Sequence, residues 1–190
     1  MGGDLGSAGV EVHARAVLDF WFTEVPAEKH FARNAALDAE IARRFGTLRD
    51  GVLATGAARW RSDPDTVLAA IILLDQFSRN IHRDSAQAFA GDDLALALAR
   101  EAIERDWDTP LDPERRAFLY MPLMHAESDA IQSESVACFT RLGDAENLAY
   151  ARDHAAVIAR FGRFPSRNAA LGRPSTPDER AWLSQRDAGW

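Results

Sequence analysis

Three stretches of the 190-residue chain hold side chains able to do chemistry. In the first, Asp75 follows the apolar run Val67–Leu74 and Arg79 lies four residues further on. One turn past Ile71 and Ile72, the Asp75 carboxylate falls on a buried face, where an ionised group is costly unless paired. Acid then base at four-residue spacing is the favourable order for a helical ion pair. Asp75 and Arg79 therefore either close the helix as a structural pair, or Asp75 orients Arg79, or Arg83 beyond it, toward a ligand.

The second stretch is Tyr120-Met-Pro-Leu-Met-His-Ala-Glu127. Pro122 removes a backbone bond inside a helical pattern and predicts a kink. Phe118, Met121, Pro122 and His125 share one face, so His125 is expected to point inward near that kink. A histidine beside carboxylates suits acid–base work, with Glu127 as its orienter. The alternative is a core histidine whose ring nitrogens those neighbours satisfy. His154 falls on an amphipathic helix between Tyr150 and Ile158 and reads as half-buried and structural.

The third stretch is Phe161-Gly-Arg-Phe-Pro-Ser-Arg-Asn168. From His154 to Pro177 there is no acidic residue, yet Arg160, Arg163, Arg167 and Arg173 are present. Gly162 and Pro165 mark a loop from which side chains can be aimed at a partner. Guanidinium forks match carboxylate or phosphate. Either these arginines bind an anion, or they neutralise helix ends and internal carboxylates such as Asp75.

The leading expectation is a binding protein. Arg79, Asn80, Arg83, Arg163, Arg167 and Asn168 would hold an anionic small molecule or an acidic peptide, supported by Asp75, Tyr120 and His154. The first alternative is a small-molecule enzyme with His125 as acid or base; the second is a scaffold without chemistry. Pocket shape separates them: an enclosed pocket suits a metabolite, an open groove a peptide. No metal or cofactor is expected. His13, His30, His82, His125 and His154 are scattered, and His125-x-Glu127 lacks the second histidine of a helical zinc site. Glycine-rich phosphate loops and the Gly-x-Ser-x-Gly elbow are absent from the sequence. Cys138, between Ala137 and Phe139, reads as a small apolar filler.

The elements that must position these residues are helical. Ala (35) and Leu (18) outnumber Val and Ile (15) more than threefold, and the former pair suits helices. Leu37, Ile41, Phe45, Leu48 and Val52 form one amphipathic stripe; Leu148, Ala151, Ala155, Ile158 and Phe161 form another. Asp63-Pro64, Asp112-Pro113 and Thr176-Pro177 each place a capping side chain before a proline, a helix-start signal. Thr176 with Glu179 is a capping box. Helices are predicted near 9–22, 34–54, 64–79, 91–106, 113–131, 133–142, 145–161 and 177–187, in one domain of antiparallel hairpins. Residues 1–9 are expected to be a loose terminus, and the five tryptophans to be mostly packing. Arg79-Asn80 is echoed by Arg167-Asn168.

Charge and hydropathy narrow the partners. Net charge is −7, which argues against a general nucleic-acid partner. Eight apolar residues cannot cross a bilayer, so no membrane partner is expected and the cytoplasm is the default compartment.

Several motifs resemble the bacterial DUF924 family: Trp60; Ile71-Ile-Leu-Leu-Asp-Gln-Phe-Ser-Arg-Asn-Ile81; Ala88-Phe-Ala90; Phe118 to Glu127; and Ile158 to Asn168 with the segment running on to Glu179. The resemblance spans about Val17 to Leu183. It implies an all-α, tetratricopeptide-like stack of helical hairpins and no activity. This chain departs from the family pattern at Ala126, where serine is usual, and at Ser78, where proline is usual.

Overall fold

The computed structural model describes residues 7–185. Among these there is no strand. The helices are α1 (Ser7–Asp19), α2 (Ala35–Ala54), α3 (Pro64–Ile71), α4 (Ser78–Ile81), α5 (Asp92–Glu104), α6 (Pro113–Met124), α7 (Asp129–Leu142), α8 (Ala145–Phe161) and α9 (Pro177–Leu183). A π-helical turn, Ile72–Phe77, joins α3 to α4 without a break, so 64–81 is one rod. A second π-turn, Phe20–Glu24, extends α1.

The rod is the centre of the molecule because its run Val67–Leu74 has no polar face. Every residue from Val67 to Leu74, and Phe77 after them, is fully buried. It packs against α1, α2, α5 and α6, while α5–α6, α6–α7 and α7–α8 pack as chain neighbours. Trp21, on the π-turn that extends α1, meets Phe77 and Phe118 edge-on at 5.4 and 5.8 Å. A smaller apolar cluster, Val157, Ile158 and Phe164 backed by Phe161 and Trp182, holds the C-terminal loop.

The proline-preceded caps form as the sequence predicts. Asp63 accepts from the Thr66 N–H, Asp112 from Arg115, and Thr176 from Glu179, with capping boxes at the first and third. Each such cap contributes about 1 kcal/mol. Both amphipathic stripes face the core: Ile41, Phe45 and Val52 are buried on α2, and Ala151 and Ile158 on α8.

Four expectations are corrected. Residues 7–9 belong to α1 rather than to a loose terminus. The predicted helix 113–131 ends at Met124, and α7 starts at Asp129 instead of 133. The Gln132 side chain explains that break: its amide donates to the carbonyls of Met124 (2.8 Å) and Ala126 (2.8 Å), so the freed end of α6 is satisfied. The helix predicted for 64–79 reaches Ile81 through its π-turn. The C-terminal helix stops at Leu183; 186–187 of its predicted span, residues 1–6 and Trp190 lie outside the described residues.

Candidate functional site

The three chemistry-bearing stretches, far apart in sequence, meet in one place. The centre is Asp75, completely buried on the π-turn. Extra backbone in a π-turn widens the helix and re-aims its side chains, and such turns recur at functional sites. Asp75 lies 2.7 Å from Nδ1 of His125, 2.9 Å from the Arg79 guanidinium and 2.6 Å from the Gln76 amide. Burial alone would raise its pKa, but Arg79, His125 and these hydrogen bonds hold it well below the ordinary carboxylate range.

His125 is the C-cap of α6. With Asp75 ionised, Nδ1–H donates to it, which leaves Nε2 as the nitrogen that titrates. No hydrogen bond is recorded at Nε2 among the described residues. Burial pushes the imidazole below its ordinary pKa; Asp75 opposes that shift and Arg79 adds to it.

A second carboxylate, Asp92 in the first turn of α5, binds both arginines of the echoed Arg-Asn pairs. Arg79 meets it at 2.9 and 3.0 Å, and Arg167 at 3.1 Å. Gly91 makes this possible. A Cβ there would sit 2.7 Å from the Leu74 carbonyl oxygen, so only glycine lets α5 begin against the π-turn. Arg167 also donates to the His125 carbonyl at 2.9 Å and lies between the Phe89 and Phe164 rings, 4.7 and 4.6 Å from their centroids. Burial, then the Arg79 charge, bring its pKa down to about 10. The His154 ring is 6.1 Å from His125 and packs edge-on against Phe164. Its Nδ1 lies 2.8 Å from the Tyr150 carbonyl.

The other candidates stand apart from this centre. Glu127 does not orient His125; Asp75 does. The Glu127 carboxylate binds Arg173 at 2.7 and 2.9 Å and the Phe164 N–H at 2.8 Å. Burial acts to raise its pKa, but these partners bring it below the ordinary value. Arg163 holds Glu179 at 2.7 and 2.9 Å, and Asn168 donates to the same carboxylate. The Arg163 hydrogen bonds, then the Thr176 N–H, take Glu179 down to about 2. Arg83 and Asn80 both grip Asp38 on α2. Tyr120 bonds Asp108, and its pKa is raised by burial and by that partner. Among its recorded contacts none reaches His125.

Sequence reasoning missed Asp92, Asp38, Phe89 and Arg49. Asp92 carried only the signal of an acidic first turn, which fits the helix dipole equally well. Arg49 is buried and reaches the Ser78 hydroxyl at 2.9 Å and the Gln87 carbonyl at 3.1 Å. The Ser78 hydroxyl in turn donates to the Leu73 carbonyl in the π-turn at 3.3 Å, so Ser78 ties the rod to α2. Ala126 leaves no hydroxyl next to His125 in the chain.

Among the open depressions on the surface of the described residues, one, of 350 Å³, is lined by Ala58, Arg59, Arg61 and Ser62; another, of 270 Å³, lies between Val25, Pro26, Leu37 and Arg44. Neither is lined by a candidate residue. Among the described residues no group of three or more His, Cys, Asp or Glu could hold a metal ion, and no helix is long and apolar enough to cross a membrane.

A family model described as "Bacterial protein of unknown function (DUF924)" matches residues 17–187. A solved structure from Agrobacterium tumefaciens, titled as protein of unknown function ATU0120, superposes with a TM-score of 0.88 at 35% identity. The match covers 93% of this chain and 99% of that one. No curated protein matches the sequence.

Proposed function

We propose, for a chain that belongs to the DUF924 family and inherits no activity from it, that the site at His125 binds an anionic small molecule. His125 is its proton donor and acceptor, Asp75 orients the imidazole, and Arg79 and Arg167 supply the positive field. One observation carries this reading. The Asp75–His125 contact of 2.7 Å engages Nδ1, while Arg79 and Arg167, which share the Asp92 carboxylate, reach Asp75 and the His125 backbone carbonyl. Of the six arginines and asparagines expected to hold ligand, the reading keeps Arg79 and Arg167. Arg83, Asn80, Arg163 and Asn168 serve as pins between elements.

A thermal-shift series against carboxylates and phosphates tests the proposal. A ligand at 100 times its dissociation constant adds about 2.7 kcal/mol to stability. The expected result is a stabilising anion that also moves the His125 ring signals by NMR and loses its effect in Arg167→Ala. Anions that stabilise without touching His125 overturn the reading.

A helical scaffold is the second reading, and one observation favours it. Arg163 and Arg173 each already hold a carboxylate by two hydrogen bonds, as does Arg83. For a scaffold, no anion would stabilise the protein, and Arg167→Ala would change folding alone.

A further inference from the structure

We infer that this site takes up its anion together with a proton, delivered to Nε2 of His125; the inference rests on the anion-binding reading above. The charges facing His125 come from every element packed around it. The π-turn contributes Asp75, α4 contributes Arg79, and α5 contributes Asp92. The loop after α8 brings Arg167, and the loop carrying Glu127 is neutralised by Arg173. The α8 face adds a second imidazole, His154. Three carboxylates against three guanidinium groups leave the cluster neutral while both imidazoles are neutral. An anion approaching the neutral form therefore meets arginines already committed to Asp75, Asp92 and Glu127, and no surplus charge.

Protonation of His125 changes that balance by one positive charge at the atom that has no protein partner. The ring cannot turn away, because Nδ1 is tied to Asp75. The new N–H becomes a charge-assisted donor, which is shorter and about twice as strong as a neutral one. Arg79, Asp92, His125 and Arg167 keep 22%, 17%, 15% and 12% of their side chains open to solvent. The patch thus admits a compact oxyanion at its surface without an enclosed cavity. The ligand class that fits is a sulfate- or phosphate-like group, or a carboxylate, presented at the end of a larger molecule. Burial lowers the imidazole's pKa from its ordinary value, which favours the neutral ring in the ligand-free protein.

Sulfate is the probe, because its charge is constant over the range in which histidine titrates. The full-length protein is titrated with sodium sulfate between about pH 5.5 and about pH 8 at constant ionic strength, following the His125 ring by NMR. The expected affinity falls by up to about tenfold per pH unit above the His125 pKa, as one-proton linkage requires. Sulfate is expected to move the ring signals toward imidazolium. In His125→Gln, whose amide can still donate to Asp75, sulfate binding is expected to be weak and pH-independent. The wild-type pH series stands alone if that variant does not fold. Sulfate that perturbs His125 with equal affinity at every pH overturns the proton coupling and leaves anion binding intact. Sulfate that leaves His125 unperturbed at every pH overturns both.

Discussion

Two aspartate knots tie the 64–81 rod to distant parts of the chain, and they are built differently. Asp75 binds Arg79 and His125 in complete burial, and Arg79 continues through Asp92 to Arg167. Asp38 binds Arg83 and Asn80 and keeps 17% of its side chain open to solvent. The outer knot pairs its aspartate with a guanidinium and an amide and contains no imidazole. The inner one contains an imidazole with an unbonded nitrogen. Pairing an aspartate with an arginine pins a helix; adding a histidine to the pair makes the pin responsive.

The largest expected effect separates the knots by stability. Breaking a buried pair from one side costs about 3–5 kcal/mol, because the partner charge stays buried. Asp75→Ala is therefore expected to lose about 3 kcal/mol or more in urea denaturation, and Asp38→Ala about 1 kcal/mol. Equal losses would break the comparison. Gly91→Ala comes next, at about 1–3 kcal/mol for forced overpacking, since its Cβ would press on the Leu74 carbonyl. The same substitution is expected to disturb the His125 ring signals while leaving those of residues around Asp38 in place.

Acid sharpens the contrast further. The pKa values of His125 and His30 are both lowered on folding, chiefly by burial. The unfolded chain then binds protons that the folded chain refuses, so stability falls as pH drops below about 6.5. His125→Gln is expected to flatten part of that slope, as read from denaturation midpoints at successive pH values; Asp38→Asn is not. Glu179 acts lower: its stabilisation is present above its ordinary pKa of 4.5 and is lost as pH falls toward about 2. The smallest effect is expected at Arg33 and Asp84, an ion pair with both side chains about 70% exposed. Arg33→Ala should leave the thermal midpoint unchanged.

How far the sequence alone reached follows from the range of each interaction. The caps at Asp63, Asp112 and Thr176 involve residues three apart, and all were legible. So was the pairing of Asp75 with Arg79, one turn apart. The break after Met124 was not, because it depends on Gln132 folding back onto carbonyls that an ordinary helix leaves free. The role of Asp92 was hidden for a different reason: its partners lie 13 and 75 residues away, and only a gap the width of a missing Cβ brings them together. Local chemistry named His125, while its true orienter lies 50 residues upstream.

That separation has a consequence for the newborn chain. Asp75 leaves the ribosome 50 residues before His125, and Asp92 leaves 75 residues before Arg167. At about 5–20 residues per second, Asp75 waits on the order of 2.5–10 seconds for His125, and Asp92 on the order of 4–15 seconds for Arg167. Arg79 and Asp92 can pair early and hold the rod against α5 in the interval. The imidazole and then the Arg167 guanidinium join an assembly already standing, so the site is completed by the loop after α8.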